Sequence, residues 1–296
     1  MAGFRLQMAT KTGEKVAREE GFTSLPVKPL VIAERKDLHV EKKPPGMEGI
    51  SGALIFMEPK PLLIYSSEHQ NLGFENFSIA HELGHYCLPD HPDQILRGGG
   101  QHFSRAGFSE GGLSIELEAD HFAAGLLMPG FLVRKLIEDF EVGLESIREL
   151  AESAEVSLTA AAIRVAQCAR FPICIVVSEG SAVRYAFPSD SFKDLGKNIF
   201  LRKGADLPGD STTARFNALS DNVAMGRQAT GECHLRDWFA TDRNPTLDEQ
   251  VVGLGSYGLT LTVLSSDALA VDPDQDEEDD EAAIEESWTP KFARGR

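Results

Sequence analysis

The sequence predicts an α+β fold in which a small sheet precedes a group of helices and a second mixed segment follows. Short strand patterns come first, then apolar residues recur with helical spacing from about residue 77 to residue 166, with interruptions. After residue 170, runs of β-branched residues again alternate with turn residues. The strand patterns of the first part cover residues 38–40, 52–57 and 62–65.

The first predicted element is a helix over residues 12–20, with Thr12 as its cap and Gly21 as its end. The strands follow it, and the turn-like residues 58–61 join the second strand to the third. A small sheet is therefore expected immediately before the next helix, which begins near Phe77.

That helix carries the most informative motif of the chain. His81, Glu82 and His85 form the pattern H-E-x-x-H. Residues four apart lie on one face of a helix, so both imidazoles can reach one metal ion. Glu82 lies beside them, where a carboxylate can act as a general base. The motif predicts a catalytic zinc site, which needs a third protein ligand and keeps one position open.

The third ligand is expected on the following helix, predicted for residues 113–128 and ended by Pro129. Glu116 and Asp120 are four residues apart and share one face of it. Glu116 can ligate the metal, and Asp120 can hydrogen-bond the far nitrogen of a ligating histidine, which orients that ring. Glu118 is the alternative ligand, but it faces away from Glu116 and is predicted to be solvated.

Residues 88–112 are rich in Gly, Pro, Asp and His and are predicted to form a long loop beside the metal cleft. His91, His102 and Arg105 lie in this segment, and His121 lies on the second helix. Each is a candidate for contacting substrate or the transition state. The alternative is solvent exposure for the loop residues and simple packing for His121.

The order of these motifs resembles the ImmA/IrrE family of zinc metallo-endopeptidases over about residues 10–170. The similar segments are A-H-E-L-G-H at 80–85, H-F-S-R-A-G-F at 102–108 and E-L-E-A-D-H-F-A-A-G-L-L-M-P at 116–129.

The resemblance implies a gluzincin-like domain with His81, His85 and Glu116 as metal ligands and Glu82 as the base, in agreement with the spacing. Zn²⁺ is the expected metal, with Mn²⁺ as an alternative activating ion. The implied substrate is a helix-turn-helix repressor protein, whose cleavage derepresses stress-response or mobile-element genes. In this type of protease the substrate backbone can add to a sheet edge, for which residues 52–55 are the expected strand.

Residues 144–166 predict two helices with a break near Glu155 and a cap at Ser157, as in a helix-turn-helix. Between residues 142 and 169 there are two basic residues and four acidic ones, and the second helix offers only Arg164. Phosphate contacts need several Lys or Arg residues, so direct DNA binding is not expected. The segment is interpreted as a packing module or as a surface for a partner protein.

Composition suggests how the remainder of the chain is organised. The 296 residues, 42% hydrophobic, suffice for two modest domains. Residues 267–286 contain eleven acidic residues and no basic one, which predicts a disordered tail that either solvates the protein or docks as a self-inhibitory segment. The expected layout is a metallopeptidase domain at 1–140, the helix-turn-helix-like segment at 141–170, an α+β domain with a possible sensor role at 171–266, and the tail at 267–296.

No apolar run approaches the roughly 20 residues that cross a bilayer, and residues 1–8 lack the apolar core of a signal peptide. The four cysteines form no C-x-x-C pair, which suits a reducing compartment. A cytoplasmic protein with no membrane partner is expected. Two functions compete with the regulatory endopeptidase: a transcription regulator that acts by binding with a structural zinc, and a general intracellular oligopeptidase.

Overall fold

The computed structural model describes residues 2–44, 47–67, 71–105, 115–140 and 143–266. The predicted acidic tail at 267–296 lies outside the described residues. The helices are α1 Ala2–Glu19, α2 Pro29–Arg35, α3 Leu72–Cys87, α4 His91–Arg97, α5 Ile115–Leu127, α6 Gly130–Ile137, α7 Leu144–Ala154, α8 Leu158–Cys168, α9 Asp190–Lys193, α10 Thr212–Asn217, α11 Ser220–Ala224 and α12 Leu235–Trp238. The strands are β1 His39–Lys42, β2 Ile50–Ile55, β3 Leu62–Tyr65, β4 Gln101–Arg105, β5 Ile173–Glu179, β6 Ala182–Pro188, β7 Gln228–His234, β8 Thr246–Gly253 and β9 Thr260–Ser265.

The first sheet has the strand order β1-β3-β2-β4. Strand β2 is antiparallel to both β3 and β4, and β1 is parallel to β3. Among the described residues β4 is therefore an outer strand, and β2 is an inner one. The expectation that residues 52–55 form the sheet edge is wrong, because β4 arrives from further along the chain and covers them.

Two other expectations need correction. Helix α1 begins ten residues before Thr12, whose hydroxyl donates to the carbonyl oxygen of Met8 at 2.8 Å inside the helix and does not cap it. The predicted loop at 88–112 contains α4 and β4. Both elements are short, and the glycines between them, Gly98 to Gly100, obscure their periodicity. Residues 106–112 of that segment lie outside the described residues.

The helices that carry the predicted metal ligands lie in the centre of the first half. The side chain of Asn71 caps α3 by accepting from the backbone N–H of Phe74 at 3.1 Å. Helix α5 confirms the helix predicted before Pro129. It packs against α1 at backbone distance, because a Cβ atom on Gly125 would lie 2.1 Å from the carbonyl oxygen of Thr10.

Helices α7 and α8 confirm the predicted pair of helices. Glu155 adopts a left-handed conformation with φ of 54° at the break, and Ser157 accepts from the backbone N–H of Ala160 at 3.1 Å. Arg164 is only 4% exposed. It donates to the carbonyl oxygen of Met128 at 2.8 Å and to the carboxylate of Glu14. The basic side chain of α8 is therefore committed to internal contacts.

The second sheet has the order β6-β5-β9-β8-β7, with antiparallel neighbours throughout. One of its faces continues the core of the first half: Ile175 of β5 and Val263 of β9 belong to the same buried cluster as Ile147, Leu150 and Val165 of α7 and α8. The mixed helix and sheet content confirms the α+β class, whereas the boundary at residue 170 stays a prediction. A second cluster includes Val176, Phe192, Trp238 and Leu264.

The described part of the chain contains no helix with the length and apolar character to cross a membrane.

Candidate metal centre

Helices α3 and α5 bring the three predicted metal ligands together. The Nε2 atoms of His81 and His85 lie 3.1 Å apart. Glu116 places Oε2 at 3.4 Å from Nε2 of His81 and Oε1 at 3.6 Å from Nε2 of His85. The two histidines are one helical turn apart on α3, and Glu116 comes from the first turn of α5. Potential donor atoms from three residues therefore surround one point.

The spacing of these donor atoms fits one zinc ion. Zinc binds nitrogen and carboxylate oxygen at about 2.0 to 2.2 Å, and a tetrahedron of that size separates its ligand atoms by about 3.3 Å. The observed separations of 3.1 to 3.6 Å agree with that value. Imidazole nitrogen and carboxylate oxygen are also the donor types that suit zinc. His81, His85 and Glu116 are thus the residues that would hold the metal.

His102 joins these three residues from strand β4. Its Nε2 atom lies 2.9 Å from Oε1 of Glu116, and one donor atom from each of the four residues falls within 4.8 Å of the others. The sequence placed His102 in a loop as a candidate substrate contact. The structure places it where it can either contact a group bound at the metal or supply a fourth ligand.

Glu82 lies under the same cluster and is completely buried. Among the described residues neither of its carboxylate oxygens has a hydrogen-bond partner. Burial raises the pKa of Glu82 to about 7, although the charge of His81 and the nearby hydroxyl of Ser104 oppose the rise. Gly52 of β2 makes room for it, since a Cβ atom there would lie 2.5 Å from Oε1 of Glu82. A buried carboxylate without a partner suits a role in moving a proton.

Asp120 contacts the far nitrogen of His81, as the four-residue spacing on α5 predicts. Its Oδ1 accepts from Nδ1 of His81 at 2.8 Å, which leaves Nε2 facing the cluster. Burial disfavours the charged form of His81, but hydrogen bonds to Asp120 and Glu116 outweigh it and raise the pKa to about 10. Burial and the charge of His81 lower the pKa of His85. Metal binding through Nε2 of His81 therefore requires this ring to release a proton.

Glu118 lies in a second group of polar residues on the other side of His85. It is 7% exposed, so the prediction of a solvated side chain is wrong. Its carboxylate accepts from Nε and Nη2 of Arg5 at 2.8 and 3.1 Å. His91, completely buried, lies between Glu118 and His85 and does not face the cleft as a substrate contact would. No local sequence pattern points to Arg5, because its partner is 113 residues away.

The other two candidates lie outside the cluster. Arg105 is exposed and separated by three positions from His102 on β4, so the two side chains point to opposite faces of the sheet. The Nδ1 atom of His121 lies 3.3 Å from the hydroxyl of Thr10 on α1. Neither residue is brought to the predicted metal ligands.

Two histidines of an H-E-x-x-H helix, a glutamate of the next helix and a buried glutamate beside them are the arrangement expected of a gluzincin-like metallopeptidase site. Residues 33–166 match the Peptidase M78 family, described as the IrrE N-terminal-like domain. The resemblance to the ImmA/IrrE family is confirmed over that segment.

The fold as a whole is similar to that of a solved structure, a Mycobacterium tuberculosis transcriptional regulator. The TM-score is 0.55 at 12% identity, and the alignment covers 87% of this chain and 76% of that one. At this identity the likeness shows the fold alone. A search of curated proteins finds no match.

Proposed function

We propose that the protein is a zinc-dependent endopeptidase that cleaves a helix-turn-helix repressor in the cytoplasm and so derepresses stress-response or mobile-element genes. The observation that carries the enzymatic part is Glu82, a buried carboxylate without a hydrogen-bond partner among the described residues, directly beside the predicted ligands. A site that only held a metal would have no use for such a group. The match to a peptidase family supports the reaction class, and the kind of substrate is implied by the ImmA/IrrE resemblance.

The roles of the residues follow from their positions. A zinc ion at this site would supply Lewis acidity toward the scissile carbonyl and toward the attacking water. Glu82 takes a proton from that water and returns it to the leaving amine, for which a pKa near 7 is well suited. His102, at the rim of the cluster, donates from its ring to the carbonyl oxygen as negative charge develops there.

Strand β4 provides a surface for the peptide to be cut. His102 and Ser104 share the face of β4 directed at the cluster, and Phe103, 44% exposed, points the other way. A substrate segment that adds to the outer edge of β4 would run past His102 with its backbone in register. Main-chain hydrogen bonds would then position the scissile carbonyl with little demand on the substrate's side chains.

The test is to incubate the purified protein, with zinc or manganese, with helix-turn-helix repressors, beginning with any that is encoded beside its gene. We expect one cut, located by intact mass. Glu82→Gln should keep the metal and lower the rate by at least roughly 100-fold, since general acid–base catalysis contributes about that much or more. Glu75→Gln makes the same chemical change on the same helix and should cleave as the wild type does. Full activity of Glu82→Gln would refute the role of Glu82.

The same assay separates a regulatory protease from a general oligopeptidase. A regulatory enzyme cuts the folded repressor at one place and leaves unrelated short peptides intact. An oligopeptidase degrades a mixture of unrelated peptides and leaves the folded repressor whole. The second pattern would overturn the proposed substrate but not the metal-dependent chemistry.

His102 favours a second candidate function, a regulator that acts by binding. If His102 ligates the metal, four protein donors close the site, as in structural zinc centres. The structural neighbour is itself described as a transcriptional regulator. His102→Ala decides between the two functions. A closed site loses metal affinity in this variant, whereas the proposed enzyme keeps its affinity and loses turnover.

A further inference from the structure

We propose that Arg5, Glu118 and His91 form a support chain that orients His85 for metal binding, and that they act as positioning residues. The inference rests on the metal-dependent function proposed above. None of the three belongs to the H-E-x-x-H pattern or to the pair Glu116 and Asp120. Arg5 also lies on α1, before residues 33–166 that match the peptidase family.

The chain begins at the ring of His85, which is completely buried. Its Nε2 faces the cluster, and its Nδ1 lies 3.2 Å from Nδ1 of His91. A neutral histidine that ligates through Nε2 carries its proton on Nδ1. His85 must then donate to His91, and His91 must accept at Nδ1. The tautomer of His91 is thereby determined, with its own proton on Nε2.

The next contact receives that proton. Nε2 of His91 is buried without a hydrogen-bond partner among the described residues, and the nearby charged group is the carboxylate of Glu118 at 3.5 Å. An N–H group that faces a carboxylate is favoured electrostatically even at this distance, because the site is shielded from water. Glu118 thus favours the tautomer of His91 that the orientation of His85 requires.

Arg5 completes the chain at the surface. Its guanidinium donates to both oxygens of Glu118, at 2.8 and 3.1 Å, in the two-pronged geometry that fixes a carboxylate most firmly. The side chain of Arg5 is 48% exposed and that of Glu118 only 9%. The arginine therefore offsets the charge of a carboxylate that would otherwise be buried alone.

The two ligating histidines are then supported in different ways. His81 has the direct partner Asp120 on α5, which the motif spacing predicts. His85 has the partner His91 on α4. His91 is in turn held by Glu118 of α5, and Glu118 is paired with Arg5 of α1. Close packing fixes the position of α1, since a Cβ atom on Gly13 would lie 2.2 Å from the carbonyl oxygen of Phe122.

The experiment measures zinc affinity by chelator competition in the full-length protein. Loss of a residue that orients a ligating histidine typically weakens metal binding by about 10 to 100-fold, and we expect this for His91→Leu. Glu118→Gln and Arg5→Met should each weaken zinc affinity several-fold, and the effect of Glu118→Gln should be the larger. Lys15→Met is the matched control on α1. It removes an exposed pair with Glu19 and should leave affinity unchanged.

Two further readouts distinguish orientation from simple loss of structure. The absorption spectrum of the cobalt-substituted protein reports ligand geometry, and it should change in His91→Leu and Arg5→Met but not in Lys15→Met. His91→Asn keeps a polar atom close to the position of Nδ1 and should restore most of the affinity. If His91 merely filled space, the apolar leucine would be tolerated better than asparagine, and the inference would be overturned. Should His91→Leu fail to fold, Glu118→Gln and Arg5→Met carry the same test.

The outcomes for this inference and for the proposed function are separable. If the wild type binds zinc and the three support variants bind it equally tightly, the support chain is refuted and the enzyme proposal is untouched. If the variants lose affinity as expected but no repressor or peptide is cut, the support chain holds and the proposed function falls. A wild type that binds no divalent metal overturns both.

Discussion

At the scale of single residues, the contact between Glu82 and Gly52 links the sheet to the chemistry. Glu82 is buried against β2, and the absence of a side chain at Gly52 gives its carboxylate room. A Cβ atom there would lie 3.0 Å from Cγ of Glu82 as well as 2.5 Å from Oε1. Any larger residue at this position must therefore move the proposed base.

Gly52→Ala should lower cleavage by roughly 100-fold, because a displacement of about 1 Å in a catalytic group can have an effect of that size. Metal affinity should stay near that of the wild type, since the heavy atoms nearest to the added Cβ all belong to Glu82, which is not a predicted ligand. Steady-state cleavage assays check the expected loss of rate, and chelator competition on the same preparation checks the unchanged metal affinity. Gly209→Ala is the control, because its added methyl group meets nothing within 4 Å. Wild-type turnover in Gly52→Ala would contradict the proposed position of the base.

The predicted ligand set shows which positions helical periodicity can determine. His81, His85, Glu116 and Asp120 were predictable because each pair is four residues apart on one helix, so helical periodicity alone places them on common faces. The partners of His85 were not predictable in this way. Their contacts join α3, α4, α5 and α1, and no local pattern encodes them.

At the scale of elements, the packing of α1 on α5 determines where Glu116 and Glu118 lie. Glycines at the crossing allow the two backbones to touch, as the 2.1 Å from a Cβ atom on Gly125 to the carbonyl oxygen of Thr10 indicates. A backbone atom cannot move aside as a flexible side chain can. Gly13 on α1 makes an equally close approach to the carbonyl oxygen of Phe122. The two helices must therefore separate if Gly13 or Gly125 is replaced.

Gly125→Ala should destabilise the protein by about 1 to 3 kcal/mol, the usual effect of overpacking. This exceeds the gain of about 0.5 to 1 kcal/mol from helix propensity when alanine replaces glycine. Gly3→Ala on α1 isolates the propensity effect, since its Cβ atom meets nothing within 4 Å. Urea unfolding of the metal-free protein measures the change in stability in both variants. Equal midpoints for Gly125→Ala and the wild type would show that the helices do not pack this closely.

Strand β4 illustrates why the sheet edge could not be predicted. The strand pattern predicts a strand over residues 52–57, but strand order depends on which distant segment pairs beside it. The partner, β4, was hidden in a segment with many glycines. The position of the edge follows from this long-range pairing, which places β4 beside β2.

If substrate adds to β4, its backbone amides should matter at every second position. Alternate amides of a strand face the neighbouring strand, and each such hydrogen bond contributes about 0.5 to 1.5 kcal/mol. N-methylation of those amides in a substrate peptide should lower kcat/KM by roughly 10-fold, and N-methylation of the amides between them should have little effect. A series of singly methylated peptides tests this. A uniform response along the peptide would exclude strand addition.

At the scale of the whole molecule, a continuous core and one buried ion pair connect distant parts of the chain. Residues of β5 and β9 share a buried cluster with α7 and α8, so the second sheet covers apolar surface of the helical segment. Glu14 of α1 pairs with Arg164 of α8 and also accepts from the backbone N–H of Gly130 at 3.2 Å. This pair therefore joins the N-terminal helix to the start of α6 and to the helix-turn-helix-like segment.

The pair should make stability depend on pH in acid. Burial alone would raise the pKa of Glu14, but the charge of Arg164 and then of Lys11, with their hydrogen bonds, lowers it below its ordinary value of 4.5. The unfolded chain then binds a proton at Glu14 more readily than the folded protein does. The resulting stabilisation is present above about pH 4.5 and is lost as the pH falls through the folded-state pKa.

Glu14→Gln should flatten this part of the stability curve. It should also destabilise the protein at every pH, because Arg164 is left as a buried charge without its partner. The informative quantity is therefore the slope of unfolding free energy against pH below about 4.5, from urea titrations at several pH values. Glu19→Gln, which alters an exposed pair on the same helix, should leave the slope as it is in the wild type. An unchanged slope in Glu14→Gln would mean that Glu14 titrates alike in the folded and unfolded chains, and that its pairing with Arg164 contributes nothing to acid stability.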